Sequence, residues 1–123
     1  MVLNGFRGLN VYQKSYVLVR QVYQLASTLP ESERYNIVSQ IKRATTSIPL
    51  NIAEGYSRKE ESAADYKRFL IIAKGSANET SVLLDLCKDF SYISEEKHDE
   101  MTNQCDEVIR MLSGLIKTLN PKT

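Results

Sequence analysis

Six apolar residues near the end of the chain, Met101, Cys105, Val108, Leu112, Leu115 and Leu119, step alternately by four and three. That spacing puts them on one stripe of an α-helix, the stripe a bundle buries. Three earlier segments carry the same periodicity. From about Asn10 to Thr28, Leu9, Tyr12, Tyr16, Val19, Tyr23 and Ala26 form one stripe, and Val11, Leu18, Val22, Leu25 and Leu29 a second beside it. After the turn at Leu29-Pro30-Glu31-Ser32-Glu33, a second helix is predicted to run to about Gly55, with Ile37, Val38, Ile41, Ala44, Ile48 and Ile52 on its core face. Between about Glu60 and Phe90, Phe69, Ile72, Ser76, Leu83, Cys87 and Phe90 make one ridge and Tyr66, Leu70, Ala77 and Leu84 another. No segment alternates as a half-buried strand does. Four amphipathic helices with short connections predict an all-α, antiparallel up-down-up-down four-helix bundle, one domain over residues 1–123.

Local signals fix the ends. Asn10 is placed to cap the first helix, with Gln13 at the capping-box position. Ser94 caps the fourth, followed by Glu95 and Glu96 at its positive end, and Asn120-Pro121 stops it. Gly55 is a natural helix stop, since glycine takes the left-handed conformation cheaply. Gly75, inside the third helix, costs about 1 kcal/mol relative to alanine, and close approach of another backbone would account for it.

The two stripes of the first helix together cover roughly 200° of its surface at about 100° per residue. An edge helix of a lone bundle needs about half of that. The excess predicts a subunit interface at Val11, Leu18, Val22 and Leu25, hence a homo-oligomer.

The net charge of +1 calls for no nucleic acid or anionic membrane, but it hides an asymmetry. Residues 1–59 hold eight Lys/Arg against three Asp/Glu, and residues 60–123 eight against twelve. The halves can complement one another within one bundle or between copies. Cys87 and Cys105 match neither a disulfide framework nor a zinc site and fall on apolar stripes, so both are expected as buried, reduced thiols in a cytoplasmic protein. No stretch reaches the ~20 apolar residues of a membrane span, and MVLNGFRGLN lacks a signal-peptide pattern.

Catalytic signatures are sparse. His98 is the single histidine, expected in the exposed first turns of the fourth helix among Glu95, Glu96, Asp99 and Glu100. Glu95-x-x-His98 matches half of a di-iron bundle motif, but the second half is missing, so no metal is expected. There is no phosphate-binding glycine loop. Glu54 and Glu79 could be assembled as an acid–base pair, but Arg43 is predicted to pair with one of them and hold the carboxylates charged. The chain reads as a non-enzyme without cofactor.

Within QIKRATTSIPLNIAEG, Gln40, Arg43, Ser47, Asn51 and Glu54 step by three and four into a polar ribbon edging the isoleucine face. Pro49 lacks an N–H and clashes with the carbonyl four residues back, which predicts a kink or bulge near Thr45–Ile48. Thr45, Thr46 and Ser47 can bond the carbonyls so exposed.

This stretch, with FLIIAKGSANE at 69–79 and the early Phe6, Leu9, Val11 and Tyr12, resembles the four-helix-bundle family encoded in intervening sequences of bacterial 23S rRNA genes. The match includes Gln40, Ile41, Arg43, Ala44, Ser47, Ile48, Pro49, Asn51, Ile52, Ala53, Glu54 and Gly55, then Ala73, Gly75, Ser76 and Glu79. The resemblance implies a pentameric ring and a kinship with the accessory proteins of diversity-generating retroelements, which bind a reverse transcriptase and nucleic acid. Two functions follow as expectations. One is a homo-oligomeric scaffold or adaptor with a protein partner. The alternative is a ring that binds RNA or DNA phosphates through Arg7, Lys14, Arg20, Lys42, Arg58, Lys59, Lys67, Arg68 and Lys74.

Overall fold

A computed structural model describes residues 4–119. Four helices follow one another: α1 (Asn10–Ala26), α2 (Ile37–Tyr56), α3 (Ala63–Asp89) and α4 (Glu95–Thr118), with one-turn 3-10 helices at Gly5–Gly8 and Glu31–Glu33. Neighbours in sequence pack as neighbours in space. The α2–α3 and α3–α4 seams are the most extensive and the α1–α4 seam the thinnest. The core is one continuous cluster that includes Leu18, Ile41, Ile48, Ile52, Leu70, Leu84, Met101 and Leu112.

Val11, Leu18, Val22 and Leu25 all lie buried in this cluster. The stripe assigned to a subunit interface is therefore the stripe that α1 presents to its own bundle, and the interface expected there is corrected. The flanking tyrosines stay outside: Tyr16 is 52% exposed and Tyr23 is also exposed. Leucine and valine, with no polar atom, take the dry face, while each phenol keeps its hydroxyl in water.

Several ends differ from expectation. Leu9, not Asn10, is the N-cap of α1, and no side chain caps it. Gln13 instead donates to the Arg7 carbonyl (2.9 Å) and ties the preceding 3-10 turn to the helix. Residues 31–33 form their own turn, and Asn36 breaks the chain before α2 begins. Ser62, rather than Glu60, opens α3 by accepting the Asp65 N–H (3.0 Å). Ser94 caps α4 as expected, accepting the Lys97 N–H (3.0 Å). Asn120-Pro121 lies outside the described residues.

Three positions carry other physical reasons than those first assigned. α2 runs helical through Pro49 and the preceding Thr45–Ile48. Thr46 Oγ1 donates to the carbonyls of Lys42 (2.8 Å) and Arg43 (3.2 Å), and Asn51 Nδ2 donates to the Ser47 carbonyl (2.8 Å), securing the turns around the proline. Gly55 does not end α2 in a left-handed turn. A Cβ there would meet Phe69 Cβ at 2.8 Å and the Tyr66 carbonyl at 3.1 Å, so the missing side chain lets α3 approach. Gly75 is the reverse case: a Cβ there would find nothing within 4 Å, so no backbone of its own chain approaches it.

The α3–α4 corner closes with Ser91 in the left-handed region (φ 62°), the Ser91 N–H bonding to Lys88 O (2.9 Å) and the Tyr92 N–H to Cys87 O (2.8 Å). This is the paired C-terminal bonding that usually employs glycine. Tyr92 then donates its hydroxyl to Glu33 Oε2 (2.6 Å), pinning the corner to the α1–α2 connection.

Candidate interaction surface

The polar ribbon of α2 lies along the α2–α3 seam, and its centre is a chain of hydrogen bonds. Asn51 Nδ2 donates to Ser47 Oγ (2.9 Å), Ser47 and Ser76 hydroxyls meet at 2.8 Å, and Ser76 donates to the Ile72 carbonyl (3.1 Å). Either serine can supply the proton across the seam. Gln40 joins a separate network, donating to Asn36 Oδ1 (3.0 Å), whose amide donates to Glu33 (3.1 Å).

Arg43 does not pair with Glu54 or Glu79. It is exposed and donates to Ser39 Oγ (3.4 Å), while Glu54 pairs with Arg58 (3.2 Å). Arg43 sits on the outer flank of the ribbon, away from any buried carboxylate, so the expected buried pair is corrected. Nor are Glu54 and Glu79 brought together. With Ser47 opposite Ser76 in antiparallel helices, ten residue rises separate them along the axis, about 15 Å. That distance leaves no shared proton site.

His98 is not a solvated surface residue. Its side chain is 13% exposed and lies between Asp85 on α3 (Nε2, 2.7 Å) and Asp99 (Nδ1, 3.0 Å). The Asp85 hydrogen bond, then that to Asp99, raises its pKa above the usual imidazole value. It works as a strut between α3 and α4. Among the described residues no group of three or more His, Cys, Asp or Glu side chains could hold a metal ion. Burial pushes the Cys87 thiol up to about 11 and that of Cys105 to about 12, so both stay protonated.

Two apolar surfaces remain uncovered. On α3, Ile72, Gly75, Val82 and Leu86 lie on the side opposite the core, spaced three, seven and four apart, with Ile71 beside them. Val82 is 57% exposed. α3 is therefore apolar on both sides. Between α1 and α2 a groove of about 380 Å³ is lined by Phe6, Tyr12, Tyr16, Val19, Thr46, Pro49, Leu50 and Ala53. Leu50, at its lip, is 67% exposed. The ring of Pro49 faces this groove. Sequence patterning overlooked the α3 ridge because Ile72 and Phe90 were counted into the core. The signal was present in Gly75 and Glu79 standing between apolar residues at helical spacing.

The model of the 23S rRNA-intervening sequence protein family matches residues 7–114. The chain belongs to that family. A solved structure, that of a protein with unknown function from the S23 ribosomal protein family of Bacteroides thetaiotaomicron, is 31% identical. The match covers 87% of this chain and 95% of that one, with a TM-score of 0.78. No protein with a curated description matches the chain.

In this 23S rRNA-intervening sequence protein the nine basic candidates do not form one free patch. Lys14 faces Glu107 (3.4 Å), Arg58 faces Glu54 and Asp65, Lys59 faces Glu60 (3.4 Å) and Arg68 faces Asp65 (3.5 Å). Arg58 and Arg68 also flank the Phe69 ring at 5.1 and 4.8 Å, Arg7 covers Phe6, and Lys42 covers Tyr23. Arg20 and Lys74 lie elsewhere on the surface. The antiparallel fold does sort charge along its axis. Arg7, Arg58, Lys59, Lys67 and Arg68 gather at the end where α2 passes to α3, with Glu60, Glu61 and Asp65 among them. At the other end Glu31, Glu33, Asp85, Asp89, Glu95, Glu96, Asp99 and Glu100 outnumber Arg34, Lys88 and Lys97.

Proposed function

We propose that this chain is a non-enzymatic, self-associating helical scaffold, acting in the cytoplasm as a ring of five copies of the kind the family resemblance implies. One observation supports the self-association above others: α3 carries apolar residues on the side facing away from its own core. A lone surface helix has no use for that second stripe, and exposed contiguous apolar surface marks an interaction site. Burying it at ~25 cal/mol per Å² supplies association energy. Native mass spectrometry and multi-angle light scattering of the full chain test the proposal. Five times the 14.0 kDa chain mass is expected, and a monomer at micromolar concentration overturns the scaffold reading.

A second reading, binding of RNA or DNA phosphates alongside a reverse transcriptase of the kind the resemblance implies, draws on the gathering of Arg7, Arg58, Lys59 and Arg68 at one end. Several of these cations already face carboxylates, which weakens the field they present. Polarisation binding to structured RNA at two salt concentrations separates the readings. Affinity that collapses with salt supports the second, and absence of affinity at low salt removes it.

A further inference from the structure

We infer that copies of this chain join head to tail, the α3 ridge of one entering the α1–α2 groove of the next, and that this is the contact on which the proposed ring depends. The inference rests on the self-association proposed above and adds its geometry. The ridge and the groove are two different apolar surfaces of one molecule, on α3 and between α1 and α2, so neither can satisfy the other within a chain. Their chemistry is complementary. The ridge is convex and aliphatic, with a notch at Gly75, where a side chain would meet nothing of its own chain. A glycine there is costly in an exposed helix, and a facing helix that must come close explains it. The groove is concave, with Pro49 on its floor and Leu50 and Tyr16 on its lips.

Charge agrees. Glu79 interrupts the ridge, and among the described residues it has no ion pair. Lys42, whose carbonyl accepts from the groove-lining Thr46, has no carboxylate partner among the described residues and rests on the Tyr23 ring at 4.9 Å.

Height along the bundle agrees as well. The Ser47–Ser76 bond sets the level of α3 against α2. Counting along antiparallel helices at about 1.5 Å per residue, Ile72 stands level with Asn51, one residue from Leu50. Glu79 stands level with Ala44, two residues from Lys42, an offset of about 3 Å. A neighbour placed alongside at the same height thus meets leucine with isoleucine and lysine with glutamate. A heterologous contact made by pure rotation closes, whereas one with a rise continues into a filament.

The test uses two variants of the full chain at exposed positions: Leu50→Asp, which blocks the groove, and Ile72→Asp, which blocks the part of the ridge level with it. Circular dichroism checks that each keeps its helicity. Tyr16→Arg and Ile71→Arg serve as a second pair should either first variant lose its fold. Each variant alone is expected to fall to a monomer by light scattering. Mixed at equal concentration they are expected to form a dimer and nothing larger, because one intact ridge meets one intact groove and the remaining faces are blocked. Absence of that dimer, or wild-type mass retained by Leu50→Asp, overturns the head-to-tail contact while leaving self-association standing. A monomeric wild type removes both.

Discussion

The Ser47 and Ser76 hydroxyls share a hydrogen bond of 2.8 Å, which joins α2 to α3 at mid-height. Both hydroxyls are part of a chain running from the Asn51 amide to the Ile72 carbonyl. Ser47→Ala is expected to cost about 1–2 kcal/mol, since it removes the hydrogen-bond partner of Ser76 and one acceptor of Asn51. Ser76→Ala is expected to cost about 1 kcal/mol, and the double variant less than the sum. Urea unfolding of the four proteins measures this, and strict additivity would show that the bond contributes nothing of its own.

Gly55 and Gly75 should respond oppositely to alanine. Gly55→Ala forces a methyl against Phe69 Cβ and the Tyr66 carbonyl, and a loss of about 1–3 kcal/mol is expected despite the gain in helix propensity. Gly75→Ala meets open space, so the isolated bundle should gain up to about 1 kcal/mol. Thermal unfolding at low concentration checks both signs.

Ser91 occupies a left-handed conformation that glycine adopts at little cost. Ser91→Gly is expected to stabilise the chain by about 1 kcal/mol, read from the denaturation midpoint at unchanged slope. A lower midpoint would mean that the Ser91 side chain contributes more than its backbone costs.

His98 couples stability to pH. Its folded pKa is raised by Asp85 and Asp99 above the ordinary 6.5 of the unfolded chain, while nearby Lys88 opposes the shift. The folded state therefore holds the proton more tightly. The resulting stabilisation is fully present below pH 6.5 and is lost as pH rises through the folded value. His98→Gln should flatten that part of the stability profile, and an unchanged profile would remove the strut from any role in pH dependence.

Cys87 and Cys105 are buried, with thiols held protonated. Neither should react with iodoacetamide at neutral pH in the native protein, and both should label on unfolding. Mass spectrometry before and after denaturant reads the difference.

The bundle and its order were legible from apolar spacing alone, because Ile37 through Ile52 and Met101 through Leu112 are dry on one side and wet on the other. The α1 interface was misread for a physical reason. Tyr12, Tyr16 and Tyr23 count as apolar in a periodicity, yet a phenol tolerates half-exposure, so two stripes suggested surplus where one was core and one was surface. The α3 ridge escaped notice because periodicity gives angle but not origin: which side of a doubly apolar helix faces inward depends on partners. Arg43 and His98 were misplaced for a similar reason. A wheel shows which residues share a face, but not which carboxylate on another helix, such as Asp85, stands within reach.

A pI near 7.7 normally foretells a protein that washes through ion-exchange columns at neutral pH. Here acids dominate one tip of the bundle, while the other carries a smaller excess of bases, so an anion exchanger finds a tip to hold. At low ionic strength the molecule behaves as a small rod with unequal poles, and added salt, by shortening the Debye length, should release it.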